Sequence, residues 1–323
     1  MKQNVQALHK IFEDYLIQQQ PHGTPDTLYE PVRYMNDIGG KRIRPLLVLL
    51  AYQLWHQDIT PSLSAAIAVE YFHNFSLMHD DIMDEAPLRR GHESVYHKFG
   101  RNAAILSGDA MLISSFQLLL QAGNLSQSGS ELIALLSQTA MQICEGQQLD
   151  MDFEIRETIT EAEYIEMIRC KTACLIGFSL QVGALLAGAC EEESDAIYKY
   201  GENLGLAFQI QDDYLDVFGD ISLTGKQEGG DILRGKKNFL YVHTLNKLSP
   251  DRQIEFIQLY KQAGVNNDPT TIIKFYQQYK VDDYVRDIES GYSMKAMTEV
   301  AKISSVDTEP IKSIASALIN RHF

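Results

Sequence analysis

The sequence predicts an all-α protein, and three observations support this fold class. Prolines are confined to the first 87 residues until Pro250, so the long middle of the chain can form several long helices. Apolar residues recur at helical spacing in residues 131–148. Strand signals are weak throughout. Because no linker-like segment rich in Ser, Gly or Pro divides the 323 residues, we expect a single domain spanning residues 1–323.

The predicted elements follow in chain order. Pro45 can occupy the first turn of a helix, so residues 45–55 are predicted to be helical. Residues 131–148 form a second helix, and residues 162–186, which are apolar on all sides, form a helix buried in a bundle. Residues 238–245 have the composition of a strand, but their length and flanks do not decide between strand and helix. Residues 219–238, rich in glycine and charge, are predicted to be a mobile loop.

Composition excludes several classes of protein. A net charge of −15 argues against a general nucleic-acid-binding surface, which would be basic. No uncharged apolar stretch of about 18 residues is present, so we expect no membrane span. The chain starts without a signal-peptide pattern. The four cysteines lack a CxxC pair, and Cys170 and Cys174 lie among apolar neighbours, which predicts buried free thiols and a cytoplasmic location.

Two Asp-rich motifs lie far apart in the chain, at residues 80–84 and 212–216. Their carboxylates are Asp80, Asp81 and Asp84 in the first Asp motif and Asp212, Asp213 and Asp216 in the second. Carboxylates at i and i+4 share a helix face and repel each other, so a cation is expected to neutralise them. Mg²⁺ is the natural candidate, since it takes one or two carboxylates together with water and phosphate oxygens. Because Mg²⁺ prefers oxygen, His73 and His79 are expected to form hydrogen bonds instead of binding metal.

Basic residues form three clusters near these motifs. They are residues 39–45 with Lys41, Arg42 and Arg44; Arg89 with Arg90; and Lys226 with Lys236 and Lys237. The first cluster lies at a predicted helix start, where backbone N–H groups favour an anion. Any one cluster alone is typical of a solvated surface. Three clusters interleaved with two acidic motifs favour phosphate binding.

Together these motifs resemble those of the trans-isoprenyl diphosphate synthases. The resemblance runs in order from about residue 37 to residue 240. It rests on Gly-Gly-Lys-Arg-Ile-Arg-Pro (39–45), His-Asp-Asp-Ile-Met-Asp (79–84) with Arg-Arg-Gly (89–91), Glu-Gly-Gln-Gln-Leu-Asp (145–150), Lys-Thr (171–172) and Phe-Gln-Ile-Gln-Asp-Asp-Tyr-Leu-Asp (208–216).

The resemblance implies a helical bundle around a deep central cavity, usually in a homodimer. It implies head-to-tail condensation of isopentenyl diphosphate with an allylic diphosphate of C5–C15, which releases pyrophosphate and uses three Mg²⁺ ions per active site. No nucleic-acid partner is implied.

The resemblance also implies roles for individual residues. Asp80 and Asp84 would hold two Mg²⁺ ions and Asp212 a third, with Asp81, Asp213 and Asp216 in support. Arg89, Lys171, Lys226 and Lys236 would contact the allylic diphosphate. Lys41, Arg44, His73 and Arg90 would bind isopentenyl diphosphate. Thr172 and Gln209 would lie near the developing allylic cation, with Phe208 as a further substrate-binding residue.

Product length is expected to depend on the residues before the first Asp motif. Phe72 and Phe75 share a helical face, but that face is rotated away from Asp80, so the spacing alone does not make them the cavity floor. In the resembled family a bulky residue at the position of Phe75 limits chain growth. The small Ser76 beside it, with no insertion in the motif, resembles C20 producers more than C15 producers. The alternative is that both phenylalanines are ordinary core residues.

Three other functions account for the sequence less completely. A class I terpene cyclase shares the ionisation chemistry but needs only one diphosphate site, which the cluster at residues 39–45 and the second Asp motif oppose. A non-catalytic subunit of a heteromeric prenyl synthase tends to lose its Asp motifs, and both are intact here. A helical scaffold without catalytic function leaves the ordered motifs unexplained.

Overall fold

A computed structural model describes residues 2–126, 128–219 and 229–313 of the chain. These residues are predominantly helical, with one two-stranded antiparallel sheet, so the predicted all-α fold is confirmed. The helices are α1 (Lys2–Gln18), α2 (Asp26–Asp37), α3 (Ile43–Gln53), α4 (Leu63–Met83), α5 (Val95–Phe99), α6 (Arg101–Ser126), α7 (Gly129–Ile155), α8 (Glu161–Ile168), α9 (Cys174–Leu186), α10 (Glu191–Phe218), α11 (Gly230–Leu233), α12 (Phe239–Lys247), α13 (Pro250–Asn266), α14 (Thr270–Gln278) and α15 (Val281–Val300). A 3₁₀ turn occupies Thr60–Ser62, a π-helical turn Arg169–Ala173, and the strands are β1 (Leu88–Arg89) and β2 (His92–Glu93).

The chain divides into two compact units. The first contains Met1–Ser137, Phe178–Tyr198 and Ser304–Ile311; the second contains Gln138–Gly177, Lys199–Ile303 and Lys312–Phe323. Three of the five divisions fall inside α7, α9 and α10. The single domain spanning residues 1–323 stays a prediction.

The first unit is built around α4. This helix is apolar on nearly all sides, with Ala65, Ala66, Ile67, Ala68 and Val69 buried in succession. A helix of this composition is stable only when other helices surround it. It packs most extensively against α6 and also against α3, while α1 contacts both α3 and α4. The first Asp motif therefore stands at the end of the central helix of this unit.

The second unit has α12 in its core. Residues 238–245, left open between strand and helix, form this helix together with Asn238 as its N-cap, whose side chain accepts from the N–H of Tyr241 at 3.2 Å. The run from Phe239 to Leu245 is buried, and aromatic residues of α13 and α14 pack around it. A short apolar run that is buried on all sides suits a strand or a helix equally well, which explains why the sequence did not decide between them.

The predicted helix at residues 162–186 is interrupted. It consists of α8, the π-helical turn Arg169–Ala173 and α9. Two glycines face this turn at very short range: a Cβ at Gly146 would lie 2.4 Å from the nitrogen of Lys171, and one at Gly205 would lie 2.7 Å from the Cα of Ala173. Such π-turns inside α-helices are frequent at functional sites.

The predicted loop at residues 219–238 is wrong for residues 230–233, which form α11. Gly230, Asp231 and Ile232 are buried there. Cys170 and Cys174 are buried free thiols as expected, while Cys144 and Cys190 are free and exposed.

Two helical stretches in the described part of the chain meet the length and hydropathy expected of a membrane span. They are Glu161–Leu186, whose most apolar window is 83% buried, and Arg101–Asn124, whose window is 33% buried. Core helices of globular proteins meet the same criterion, so these stretches are weak evidence for a span. Arg101–Asn124 leaves Leu106, Ile113 and Leu120 exposed at intervals of seven residues, which places them on one face of α6.

Candidate active site

The first basic cluster forms a tight turn before α3. Gly39, Gly40 and Arg42 have φ angles of 72°, 144° and 49°, a conformation that glycine adopts far more readily than other residues. At Gly40 the missing side chain also admits Arg90, because a Cβ there would lie 2.7 Å from the guanidinium carbon. Arg90 donates a hydrogen bond to the carbonyl of Gly39. The turn therefore holds Arg90 beside Lys41, whose side chain is exposed.

His73 of α4 joins this cluster. Nη1 of Arg44 lies 3.1 Å from Nε2 of His73. Burial, together with the charges of Arg44 and Arg90, holds the pKa of His73 well below its ordinary value. The ring is therefore neutral, and Nε2 accepts the hydrogen bond from Arg44. Arg44, His73 and Arg90, predicted from separate parts of the sequence to bind one substrate, are brought together.

The first Asp motif lies at the carboxyl end of α4, with Asp84 as its C-cap. The side chain of Asp81 is 1% exposed and accepts hydrogen bonds from Nε and Nη2 of Arg89, the former at 2.9 Å. Burial raises the pKa of Asp81, and Arg89 opposes that rise. Asp80 is part-buried, 3.6 Å from the same guanidinium, and Asp84 is exposed. Asp81 thus orients Arg89, while Asp80 and Asp84 lie nearer the surface.

The residues predicted to limit product length form a column of rings on α4. The ring centroids of Phe72 and Phe75 are 5.5 Å apart, and those of Phe75 and His79 are 4.9 Å apart, both in edge-to-face contact. His79 forms the expected hydrogen bond, from Nε2 to the carbonyl of Ile105 at 3.3 Å. The hydroxyl of Ser76 donates to the carbonyl of His73 one turn earlier. The column leads from the buried Phe72 to the residue that precedes Asp80.

The second Asp motif lines a cavity of about 590 Å³ within the second unit. Its lining consists of Gln209, Asp212, Asp213, Asp216, Gly230, Asp231, Leu233, Arg234, Lys236 and Asn267. All three carboxylates of the motif, together with the predicted Gln209 and Lys236, therefore meet at one place.

Asp213 and Asp216 also hold neighbouring helices together. Asp213 accepts hydrogen bonds from the hydroxyl of Tyr164 at 2.6 Å, from the N–H of Phe239 at 3.1 Å and from the side-chain amide of Gln209 at 3.2 Å. Its burial raises its pKa to about 7, although Lys236 and Tyr164 act in the opposite direction. Asp216 accepts from the N–H of Asp231 at 2.8 Å. These contacts agree with the supporting role expected of both residues.

Asp231 is a buried acidic residue of this cavity to which the sequence motifs gave no role. It pairs with Arg234 at 2.7 Å and accepts from the amide of Asn238 at 3.2 Å. Burial acts to lower the pKa of Lys236, but the carboxylates of Asp231, Asp150 and Asp213 raise it overall, so the lysine is charged. The resemblance to the trans-isoprenyl diphosphate synthases extends to Asp231 and Ile232, but it implied no role for this carboxylate.

Lys171 and Thr172 lie on the π-helical turn, which Gly146 of α7 contacts. Nζ of Lys171 pairs with Asp150 at 2.5 Å. The hydroxyl of Thr172 donates to Gln209 at 3.3 Å, so the two residues predicted to lie near the allylic cation are in contact. Phe208 precedes Gln209 on α10 and is part-buried. Lys226 lies outside the described residues.

The oxygen atoms of the two Asp motifs are suitable ligands for Mg²⁺. The cavity presents carboxylate and amide oxygens beside lysine and arginine, and Oδ2 of Asp81 is buried without a hydrogen-bond partner among the described residues. In that part of the chain no three His, Cys, Asp or Glu side chains form a ready metal site. Mg²⁺ does not require three, because it binds through one or two carboxylates together with water and phosphate oxygens.

Comparison with known proteins identifies the family. Residues 25–278 match the polyprenyl synthetase family. A geranylgeranyl diphosphate synthase of Methanosarcina mazei is 41% identical over 227 residues, 70% of each chain. A geranylfarnesyl diphosphate synthase of Natronomonas pharaonis is 37% identical, covering 72% of this chain and 73% of the relative. A solved structure of a geranylgeranyl pyrophosphate synthase has a TM-score of 0.90 at 38% identity and covers 98% of both chains.

These comparisons define the class as an all-α prenyl synthase. The chain belongs to the polyprenyl synthetase family, and the predicted resemblance is confirmed. It is a trans-prenyltransferase of the short-chain isoprenyl diphosphate synthase type.

Proposed function

We propose that this enzyme condenses isopentenyl diphosphate with an allylic diphosphate of C5–C15, in a Mg²⁺-dependent reaction that releases pyrophosphate. One observation carries the proposal. On α4, His73 precedes Asp80 by two helical turns, about 10.5 Å along the axis. Arg44 and Arg90 lie beside His73. One helix therefore carries a basic site suited to a diphosphate and an acidic site suited to a metal-bound diphosphate.

The metal-binding residues follow from the motif positions. Asp80 and Asp84 would hold two Mg²⁺ ions and Asp212 a third, while Asp81, Asp213 and Asp216 orient neighbouring groups. The ions supply positive charge that stabilises a diphosphate as its negative charge grows. The buried contacts of Asp81 with Arg89 and of Asp213 with Tyr164 support this division of roles.

The residues of the chain have two tasks in this reaction. Arg89, Lys171 and Lys236 bind the allylic diphosphate and stabilise it as a leaving group, and Lys226 would add a fourth cation. Lys41, Arg44, His73 and Arg90 hold isopentenyl diphosphate.

The allylic cation must meet the alkene before water does. We assign Thr172 and Gln209, which contact each other, to the surroundings of this cation, and Phe208 to the exclusion of water. The last proton leaves to the released pyrophosphate, since the motifs contain no strong base.

For product length we propose C20, with C15 as the next choice. The ring column of Phe72, Phe75 and His79 supports a short product because three packed rings resist displacement by a growing chain. Two of the similar proteins are named for geranylgeranyl and geranylfarnesyl diphosphate, which are C20 and C25 compounds.

We also propose a cytoplasmic homodimer without a nucleic-acid partner. The exposed side chains of Leu106, Ile113 and Leu120 on one face of α6 support dimerisation, because a second chain that covers them removes their apolar surface from water. The buried thiols of Cys170 and Cys174 are compatible with a reducing compartment.

Pyrophosphate release tests this function against the alternatives. We expect release to require Mg²⁺, isopentenyl diphosphate and an allylic diphosphate together, and Asp80→Ala to abolish it. A class I terpene cyclase would release pyrophosphate from the allylic substrate alone. A non-catalytic subunit would release none, and full activity in Asp80→Ala would contradict the metal assignment.

A further inference from the structure

A buried arginine lies between two of the residues assigned to isopentenyl diphosphate. In the sequence Arg42 lies between Lys41 and Arg44, but its side chain is 1% exposed and points into the interior of the first unit. Its backbone has φ 49° and ψ 36°, the left-handed conformation, which is sterically unfavourable for a non-glycine residue. Such a conformation persists only where surrounding contacts impose it.

Three helices hold the guanidinium. Nη1 donates to Glu70 of α4 at 2.7 Å, Nε donates to Glu13 of α1 at 2.8 Å, and Nη2 donates to the carbonyl of Asn36 in α2 at 2.6 Å. Glu70 is itself buried, with 2% of its side chain exposed. Although burial acts to lower it, these carboxylates keep the pKa of Arg42 above its ordinary value, so the pair is ionic.

The position of Glu70 connects this cluster to the substrate site. Glu70 precedes His73 by three residues, one helical turn, so both side chains project from the same side of α4. The ion pair of Arg42 with Glu70 therefore attaches the turn at residues 39–44 to the helix turn that carries His73. The contact of Arg44 with His73 lies directly beside it.

A gain in folding stability alone does not account for the buried ion pair of Arg42 with Glu70. A buried ion pair is commonly no more stabilising than apolar residues of the same volume, because the desolvation of both charges offsets their attraction. Its directional hydrogen bonds, however, fix a backbone geometry that apolar packing does not specify. Arg42 is also not placed to bind a diphosphate, because its three guanidinium nitrogens each donate a hydrogen bond inside the fold.

We propose that Arg42 is a positioning residue that fixes the turn at residues 39–44 on α4, so that Lys41, Arg44 and His73 present one binding surface to isopentenyl diphosphate. This role rests on the proposed function. It predicts an effect on one substrate and not on the other, because Arg89, the residue of the first unit assigned to the allylic diphosphate, is held by Asp81 and not by this cluster.

The test uses the full chain with Arg42→Lys and Glu70→Gln. Lysine keeps the charge but lacks the planar fork that reaches three acceptors, and glutamine keeps the shape of Glu70 but lacks its charge. We expect each variant to raise the KM for isopentenyl diphosphate about tenfold or more, as loss of a charged hydrogen bond does, and to leave the KM for the allylic diphosphate within about twofold. Glu13→Gln, which alters the more exposed partner, is the mildest variant and is expected to shift the same KM in the same direction by a smaller factor.

Arg33→Lys is the matched control. Arg33 lies in the same unit and is also held by one carboxylate, Asp26 at 2.7 Å, and one backbone carbonyl, Pro21 at 3.0 Å. It has no contact with the turn among its hydrogen bonds, so both KM values should stay unchanged. If Arg42→Lys and Glu70→Gln lower the melting temperature but leave the KM for isopentenyl diphosphate unchanged, Arg42 is purely structural and the proposal is wrong.

Hydrogen exchange separates an error in the proposed function from an error in the positioning role. A wild-type protein that does not condense the two substrates would refute that function, and the position of the turn would then be measured by amide hydrogen exchange. Exchange of the backbone amides of residues 41–44 and 46 should speed up in Arg42→Lys and Glu70→Gln but not in Arg33→Lys. Equal exchange in all three variants would contradict the positioning role without reference to any substrate.

Discussion

Gly146 provides the sharpest test of how the fold positions Lys171. A methyl group at residue 146 would lie 2.4 Å from the nitrogen and 2.8 Å from the Cα of Lys171, and these are backbone atoms that no side-chain rotation can move away. Overpacking of this kind costs about 1–3 kcal/mol. Alanine in place of glycine inside a helix returns about 1 kcal/mol. We therefore expect Gly146→Ala to lower the free energy of unfolding by up to about 2 kcal/mol.

The same substitution should reduce activity by more than its effect on stability. Displacement of the π-helical turn moves the amine of Lys171 away from Asp150 and from the diphosphate that we assign to it. A shift of about 1 Å in a binding group can cost up to about a hundredfold in rate, so a loss of at least about tenfold in kcat is expected. Steady-state assays with both substrates, well below the melting temperature, measure this loss.

Gly291→Ala is the matched control for Gly146→Ala. Gly291 also lies inside a helix, α15, but a Cβ there would meet nothing within 4 Å. Its replacement should stabilise the protein by about 1 kcal/mol and leave kcat unchanged. Denaturant unfolding compares the two variants directly. If Gly146→Ala is as stable and as active as Gly291→Ala, the close approach of α7 does not position Lys171.

Two further predictions concern product length and pH. Phe75→Ala should shift the products to longer chains, because it removes a ring from the column on α4. The double variant with Phe72→Ala should shift them further. Unchanged product lengths would show that both phenylalanines are ordinary core residues. Burial raises the pKa of Asp213 from 3.8 to about 7. Between about pH 4 and 7 the folded protein therefore binds a proton that the unfolded chain has lost. The free energy of unfolding consequently falls as the pH rises through this range. In EDTA, thermal unfolding should show a steeper loss of stability over this range for the wild type than for Asp213→Asn; parallel curves would exclude Asp213 as the titrating group.

The sequence predicted the helical fold and indicated the candidate site residues, because both signals are local. The proline-free middle permits long helices, and the carboxylates at i and i+4 of the Asp motifs can be recognised without any tertiary information. The cavity of the second unit does contain Asp212, Gln209 and Lys236, which lie in two separate motifs.

What the sequence did not reveal depends on contacts between distant segments. The π-helical turn at Lys171 lies where Gly146, 25 residues earlier, brings α7 onto the backbone, and a hydropathy pattern contains no record of that approach. Residues 238–245 were left open between strand and helix because a short run buried on all sides suits either element. Arg42 was counted with the phosphate-binding cations because its partners, Glu13 and Glu70, lie in other helices.

Sizing of the reaction products tests the proposed enzyme most directly. The purified protein is incubated with Mg²⁺, labelled isopentenyl diphosphate and, in separate reactions, a C5, C10 or C15 allylic diphosphate, and the labelled products are separated by chain length. We expect every accepted starter to be elongated to a short trans-prenyl diphosphate, with C20 dominant, and no product without the allylic partner. Absence of any elongated product in the presence of Mg²⁺ and both substrates would contradict the assignment of two diphosphate sites to this chain.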